Sequence, residues 1–189
     1  KQRYVAGGKI ILRVDNDGPK ERGKDYDWAR SLASEMVDSA SAVLISDYDK
    51  GFLTPEFIHS IAMLCKQREI PCVADVKREP KVYVGCILKC NEEYATKHFR
   101  SWADELIIVT RGAGGPYWLG TTYLDGPPVK CINHVGAGDC FAAHLTLALA
   151  YDFPIKEAVG IAHSAGRVYV QHPHNRPPLP TEIATDFAS

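Results

Sequence analysis

Residues 42–76 read AVLISDYDKGFLTPEFIHSIAMLCKQREIPCVADV. Two short apolar runs, 42–48 and 71–76, enclose a segment that opens on Thr54-Pro55. Threonine is a good helix N-cap, and proline suits the first helical position, where its missing N–H is not needed. Phe57, Ile58, Ile61 and Cys65 then recur at helical spacing on one face. The flanking runs are apolar throughout instead of alternating, as in strands covered on both sides. Strand, helix and strand in this order predict two parallel neighbours joined by a right-handed crossover.

The same rhythm continues outward. WARSLASEMVDSA (28–40) reads as a helix with Asp27 as its N-cap. CILKC (86–90) and ELIIVTRG (105–112) are further strands, with a helix, NEEYATKHFRSWA (91–103), between them. GPYWLG, TTYLDG and PVKCI look like short β pieces, and Gly138–Tyr151, Ile155–Val170 and a tail after Thr181 read as helices. At the start, a β-like run at 9–14 follows Gly7-Gly8, and the polar stretch 16–27 reads as a loop. The expected fold is α/β, a parallel sheet flanked by helices on both faces, forming one domain or a large part of one. Ligands of such sheets bind outside the carboxyl ends of the strands. Those ends carry Asp47–Gly51, Asp75–Lys77, Asn91–Glu93, Thr110–Gly112 and Gly136–Asp139.

Composition removes several classes of function. With 22 basic and 23 acidic residues among 189, the net charge is −1, which gives no field for nucleic acid or an anionic membrane. No apolar run reaches the roughly 20 residues of a membrane span, and the first residues are not those of a signal peptide. The six cysteines lack CxxC spacing, and reduced thiols in a cytoplasmic protein are a plainer reading than a metal site or a disulfide frame.

The stretch NHVGAGDCFAAHLTLALA (133–150) carries the chemistry. A helix N-terminus has unpaired N–H groups and about half a positive charge, and glycines there let an anion approach the backbone. Asp139 at that place would repel a phosphate unless it faces a second substrate and takes a proton from its hydroxyl. A general base beside an anion hole is the equipment of phosphoryl transfer to an alcohol. A tight turn followed by a dipole-compensating aspartate is the alternative reading of the same residues. The stretch is not a dinucleotide fingerprint, since Phe141 stands where the third glycine belongs, and no Gly-Lys-Ser/Thr makes it a Walker loop.

GAGD followed by an aromatic residue and a small-residue helix resembles the C-terminal signature of the PfkB, or ribokinase-like, carbohydrate kinases. The resemblance implies a ribokinase-like, Rossmann-like α/β fold, with Asp139 as the base and the amides of Gly136, Ala137 and Gly138 as the anion hole. Asn133-His134 replaces the usual Asp-Thr of that signature. VTRGAGG is similar to the family's strand-turn beside the nucleotide, which makes Thr110, Arg111, Gly112 and Gly115 ATP contacts. By the same likeness Ser164 and Gly166 would flank the adenine. LKCNEEY resembles the Asn-x-x-Glu motif that positions Mg²⁺ and phosphates; Asn91 matches, whereas Tyr94 stands in the glutamate position and Glu93, the nearest acid, becomes the candidate metal ligand.

ISDYDKGFLT, VADVK and the first 15 residues, which look like lid strands, are similar to the heptose-phosphate kinases of lipopolysaccharide precursor synthesis. That likeness implies ATP and Mg²⁺ as cofactors and a sugar or sugar phosphate bound near Asp47, Lys50 and Lys77. A solvated loop lysine and a surface ion pair with Asp75 are the plainer roles for Lys50 and Lys77. Relatives are longer, so residues 1–189 are expected to be the C-terminal, nucleotide-binding portion of the kinase domain, truncated on the N-terminal side. A homodimer, or pairing with an N-terminal segment, would cover the sheet edge thus left open. The rival readings are a catalytically weak nucleotide-binding module and a ribose- or adenosine-type kinase. Among the histidines, His172 and His174 on the proline-rich QHPHNRPP loop are expected to be merely exposed, His134 to bond the nearby backbone, and His144 and His163 to pack between helices.

Overall fold

A computed structural model describes residues 2–6, 9–14, 27–99, 106–112, 115–118, 122–123 and 128–188. Its strands are β1 (Gln2–Ala6), β2 (Lys9–Val14), β3 (Val43–Ser46), β4 (Cys72–Asp75), β5 (Ile87–Asn91), β6 (Ile107–Thr110), β7 (Pro116–Trp118) and β8 (Thr122–Tyr123). Its helices are α1 (Asp27–Asp38), α2 (Pro55–Gln67), α3 (Glu92–His98), α4 (Ala137–Ala150), α5 (Ile155–Val170) and α6 (Pro180–Phe187), with a 3₁₀ turn at Pro80–Tyr83. β1 and β2 form an antiparallel hairpin, Gln2 facing Val14 and Ala6 facing Lys9.

The main sheet has the order β3-β4-β5-β6-β7-β8. The first four strands are parallel, as the crossover pattern predicts, and β7 and β8 turn the far edge antiparallel. Period-2 alternation divides the parallel strands between two cores. Cys72, Ala74, Leu88, Ile107 and Val109 pack on one face with Val37 of α1 and Ile58, Ile61 and Cys65 of α2. Val73 and Ile108 point the other way, against Phe141, Leu145 and Leu149 of α4 and Ala158 and Ala162 of α5. Helices therefore cover both faces, and burial of these aliphatic side chains stabilises the sheet by about 1.5–3 kcal/mol per residue. The Thr54 side chain caps α2 by accepting from the Phe57 amide at 3.2 Å, with Pro55 at the first position.

Two expectations change, and parts of two others lie outside the described residues. PVKCI forms no strand; instead the amides of Ile132 and Asn133 donate to the Val170 carbonyl at 2.7 and 3.0 Å, tying this segment to the end of α5. Helix α3 stops at His98, and residues 100–103 of its expected extension lie outside the described residues. The expected loop at 16–26 lies outside them as well. No helix among the described residues is long and apolar enough to cross a membrane.

Candidate active site

Helix α4 begins at a tight corner. Gly136, its N-cap, has φ +90°, and a Cβ placed there would stand 2.6 Å from the Tyr169 hydroxyl oxygen. Both conditions call for glycine. Tyr169 in turn donates to the Val135 carbonyl at 2.8 Å, so α5 holds the corner in place. Asn133 reinforces it: its side-chain oxygen accepts from the Val135 amide at 3.0 Å, and its amide nitrogen donates to Asn175 at 2.7 Å. The loop thus keeps an ordered conformation with Asn133 in place of the usual aspartate.

The amides expected to form the anion hole divide. The Ala137 amide donates to the His134 carbonyl at 3.2 Å and is occupied, which removes it from the expected set. Those of Gly136, Gly138 and Asp139 find no backbone acceptor among the described residues. The Asp139 side chain is exposed and opens into a cleft of about 680 Å³ shared with Tyr48, His144, Tyr169 and Arg176. Tyr48, arriving from the end of β3, donates its hydroxyl to Asp139 at 3.1 Å. A hydrogen bond with Ser46 works to lower the Tyr48 pKa, but burial and the Asp139 charge outweigh it and hold the phenol above its ordinary range. Tyr48 therefore remains a donor at neutral pH. Arg176 is neutralised by Glu182, 2.7 Å away, whose carboxyl the hydrogen bonds from Arg176 and the Leu179 amide hold down at about 2.

Two neighbouring strand ends have different fates. Asp47 is 2% exposed, and its carboxylate accepts from Tyr83 at 2.7 Å, from the Asp49 amide at 2.8 Å and from Arg78 Nη2 at 3.4 Å, with Arg78 Nε in an ion pair 3.0 Å away. It latches the loop and is not presented to a ligand, a correction to its expected substrate role. Asp75 and Lys89 form a buried ion pair at 3.2 Å, with the half-exposed Lys77 at 3.5 Å from the same carboxylate oxygen. Lys50 is exposed at the end of the Asp47 loop.

On the far side Asn91 caps α3, accepting from the Tyr94 amide at 2.8 Å. Tyr94 turns inward, stacks on His98 with ring centroids 4.3 Å apart and donates to the Arg78 carbonyl. Glu93 stays exposed beside Glu92. Thr110 donates to the Cys90 carbonyl at 3.1 Å, the Arg111 amide donates to the Gly115 carbonyl at 3.2 Å and the Gly115 amide to the Gly112 carbonyl at 3.2 Å, and Gly112 and Gly115 have φ +57° and +74°. Ser164 is buried within α5, so its expected place beside an adenine is not open to a ligand; Gly166 faces open space.

Of the histidines, His144 bonds the Cys140 carbonyl at 2.8 Å, in keeping with a packing role. The carbonyl of His134, and not its ring, serves the loop. His172 departs from the expectation, since it is half-buried with Arg176 2.8 Å from its ring. All six cysteines are free thiols. Sequence reading missed Lys89 and the roles of Tyr48 and Tyr169; only Lys89, a lone cation inside an apolar strand, left a local signal.

Comparison with known proteins agrees with the resemblance read from the sequence. Residues 90–182 match the family model described as pfkB family carbohydrate kinase. Bifunctional protein HldE of Hyphomonas neptunium is 33% identical over 196 residues, covering 90% of this chain and 40% of that protein. The same-named protein of Geobacter metallireducens is 26% identical over 195 residues, with equal coverage. The chain therefore spans less than half the length of these curated relatives. Phosphofructokinase-2 from Escherichia coli in complex with potassium superposes with a TM-score of 0.67 at 18% identity, over 86% of this chain and 62% of that one. Arabidopsis thaliana ribokinase complexed with ribose and ATP gives 0.65 at 17% identity, over 82% and 58%. These likenesses make the fold ribokinase-like, partially represented.

Proposed function

We propose that this chain, a partial relative of the pfkB family carbohydrate kinases, is the nucleotide-binding portion of a kinase that moves the γ-phosphoryl group of ATP to a sugar hydroxyl. The observation that carries this reading is the exposed Asp139 carboxylate at the mouth of α4, beside the free amides of Gly136, Gly138 and Asp139. Asp139 accepts the proton of the attacking hydroxyl, and Tyr48 fixes the rotamer of its carboxylate. The free amides meet the charge that develops on the equatorial phosphoryl oxygens. A heptose phosphate is the acceptor favoured by the SDYDKG and VADVK runs, with Lys50 and Lys77 at the rim to meet its phosphate. Thr110, Arg111, Gly112 and Gly115 hold the nucleotide end, and Gly166 leaves room beside it. Residues 1–15 serve as the lid, and a homodimer or an N-terminal segment completes the sheet edge.

No cluster of three or more metal-ligating side chains exists among the described residues. The exposed carboxylates of Glu92 and Glu93 fit magnesium, which keeps several waters and binds through phosphates with one or two carboxylates. Glu93 would be the protein's contribution, because the Asn91 oxygen is spent on the Tyr94 amide. When bound, Mg²⁺ supplies charge neutralisation at the phosphates.

Asp139→Asn tests the assignment. Turnover should fall on the order of 10²–10⁴-fold with nucleotide affinity unchanged. Near-normal turnover in this variant ends the reading. The inward turn of Tyr94 favours a second possibility, a nucleotide-binding module without turnover. ADP release measured across heptose phosphates, ribose and adenosine separates the two and identifies the acceptor: binding of ATP with no release on any sugar selects the module.

A further inference from the structure

Beyond its first turn, helix α4 is apolar except for His144 and Thr146. Thr146 is buried and donates to the Ala142 carbonyl at 2.8 Å, so its polarity is spent inside the helix. His144 is half-buried and lines the same cleft as Asp139. Its bond to the Cys140 carbonyl, at 2.8 Å, uses only one ring nitrogen, Nδ1. A carbonyl can only accept, so Nδ1 carries the proton, and in the neutral ring Nε2 keeps a bare lone pair. The Cys140 thiol has an acceptor of its own, the Ala165 carbonyl at 3.7 Å. Among the described residues His144 Nε2 is neither bonded nor shut off from solvent.

The other polar side chains of the cleft are committed. Tyr48 donates to Asp139, Tyr169 to the Val135 carbonyl, and the Asn175 oxygen accepts from Asn133. The Arg176 guanidinium is divided among Glu182, His172 and the Pro177 carbonyl. Two acceptors with capacity to spare are left, the Asp139 carboxylate and His144 Nε2. Away from the amides of the helix mouth, the described residues of the cleft thus suit a ligand that donates hydrogen bonds, and offer an anion no uncommitted cation. His144 follows Asp139 by five residues, about 7.5 Å up the axis at the helical rise. A ligand that touches both must carry its second donor several bonds from the reacting hydroxyl, as the successive hydroxyls of a sugar do.

We infer that His144 is a specificity-determining residue whose Nε2 accepts a hydroxyl of the sugar distant from the one that reacts at Asp139. This rests on the phosphotransfer reading and narrows its acceptor to a polyol long enough to span both groups. The distant hydroxyl takes no part in the bond changes, so the contact is equal in ground and transition states. It therefore acts on acceptor binding and leaves the chemical step alone.

ADP release at saturating Mg-ATP, with a heptose phosphate as the varied acceptor, reads this directly. His144→Asn keeps a donor in the Nδ1 place for the Cys140 carbonyl but has no atom at the Nε2 position. It should raise the acceptor KM about three- to tenfold, with kcat held within about twofold. His144→Gln, whose amide reaches as far as Nε2, should return KM to within about twofold of the unsubstituted value. An unmoved KM in His144→Asn, a fall in kcat without a change in KM, or equal losses in both variants would each overturn the contact. Turnover of ribose or adenosine but not of the heptose phosphate leaves a kinase and removes the long acceptor, and the role of His144 with it. No turnover of any of the three by the unsubstituted protein defeats the phosphotransfer reading and this contact together. Turnover that Asp139→Asn abolishes, with KM the same in His144→Asn, defeats the contact alone.

Discussion

Asp47 and Asp139 are both aspartates at the functional rim, one after a strand and the other opening a helix, yet they hold opposite positions. Asp47 is buried under Tyr83, Arg78 and the Asp49 amide, and desolvation together with Asp47 pushes the Tyr83 phenol well above its usual range. Asp139 is exposed and, among the described residues, accepts a single side-chain bond, from Tyr48. A carboxylate already surrounded by donors stabilises a loop, whereas one with spare lone pairs beside a cleft can take a proton. Chemical type alone does not distinguish them; the number of donors already supplied does.

Removal of each group should separate them most clearly in stability. Asp47→Ala removes the acceptor of Tyr83 and of the Asp49 amide, leaves Arg78 only the half-exposed Asp49 carboxylate 3.0 Å away, and should cost about 2–4 kcal/mol in urea unfolding. Asp139→Asn should change stability by less than about 0.5 kcal/mol. A loss below about 1 kcal/mol at Asp47 would erase the contrast. Next in size is Gly136→Ala, which combines a left-handed backbone with a collision at Tyr169 and should cost about 2–4 kcal/mol by the same measurement. A stable variant would mean that the corner can relax, and the claim that α5 fixes it would fall.

Tyr48→Phe removes the one bond to Asp139. Turnover on the acceptor found in the sugar panel should drop roughly 3- to 10-fold, with urea midpoints unchanged. The smallest effect concerns thiols. Burial pushes Cys140 up to about 11, with the Asp139 charge adding to it, whereas Cys131 is exposed. At pH 8 the native protein should therefore label quickly at Cys131 alone. A group with a raised pKa gains thiolate only as pH climbs toward that value, so Cys140 labelling should rise about tenfold per pH unit up to about 11. Fast labelling of Cys140 at pH 8 would mean that the first turn of α4 opens.

The parallel unit was legible because its apolar runs lie close together with a capped helix between them, and α5 matched its expected bounds from Ile155 to Val170. The antiparallel turn of β7 and β8 was not, since short glycine-bounded pieces do not state a direction. PVKCI misled because its amides are claimed by Val170, a partner far away in sequence. At the site, GAGD could be read locally, as a helix mouth is a local object. The occupied Ala137 amide, the saturated Asp47 and the pairing of Lys89 with Asp75 depend on contacts that only the folded chain makes. Tyr94 shows the same limit: a departure from the family pattern was visible, but its inward turn toward Arg78 was not.

The antiparallel edge has a further consequence. Among the described strands of the main sheet only β3, β4, β5 and β6 point their carboxyl ends the same way, so their shared rim ends at Thr110. Three inter-strand steps of about 4.8 Å set its width at roughly 14 Å. The sheet works as a ruler: a molecule anchored by the turn after β6 and reacting beside Tyr48 must be about that long. Neither a free phosphate nor a lone sugar could reach from one mark to the other.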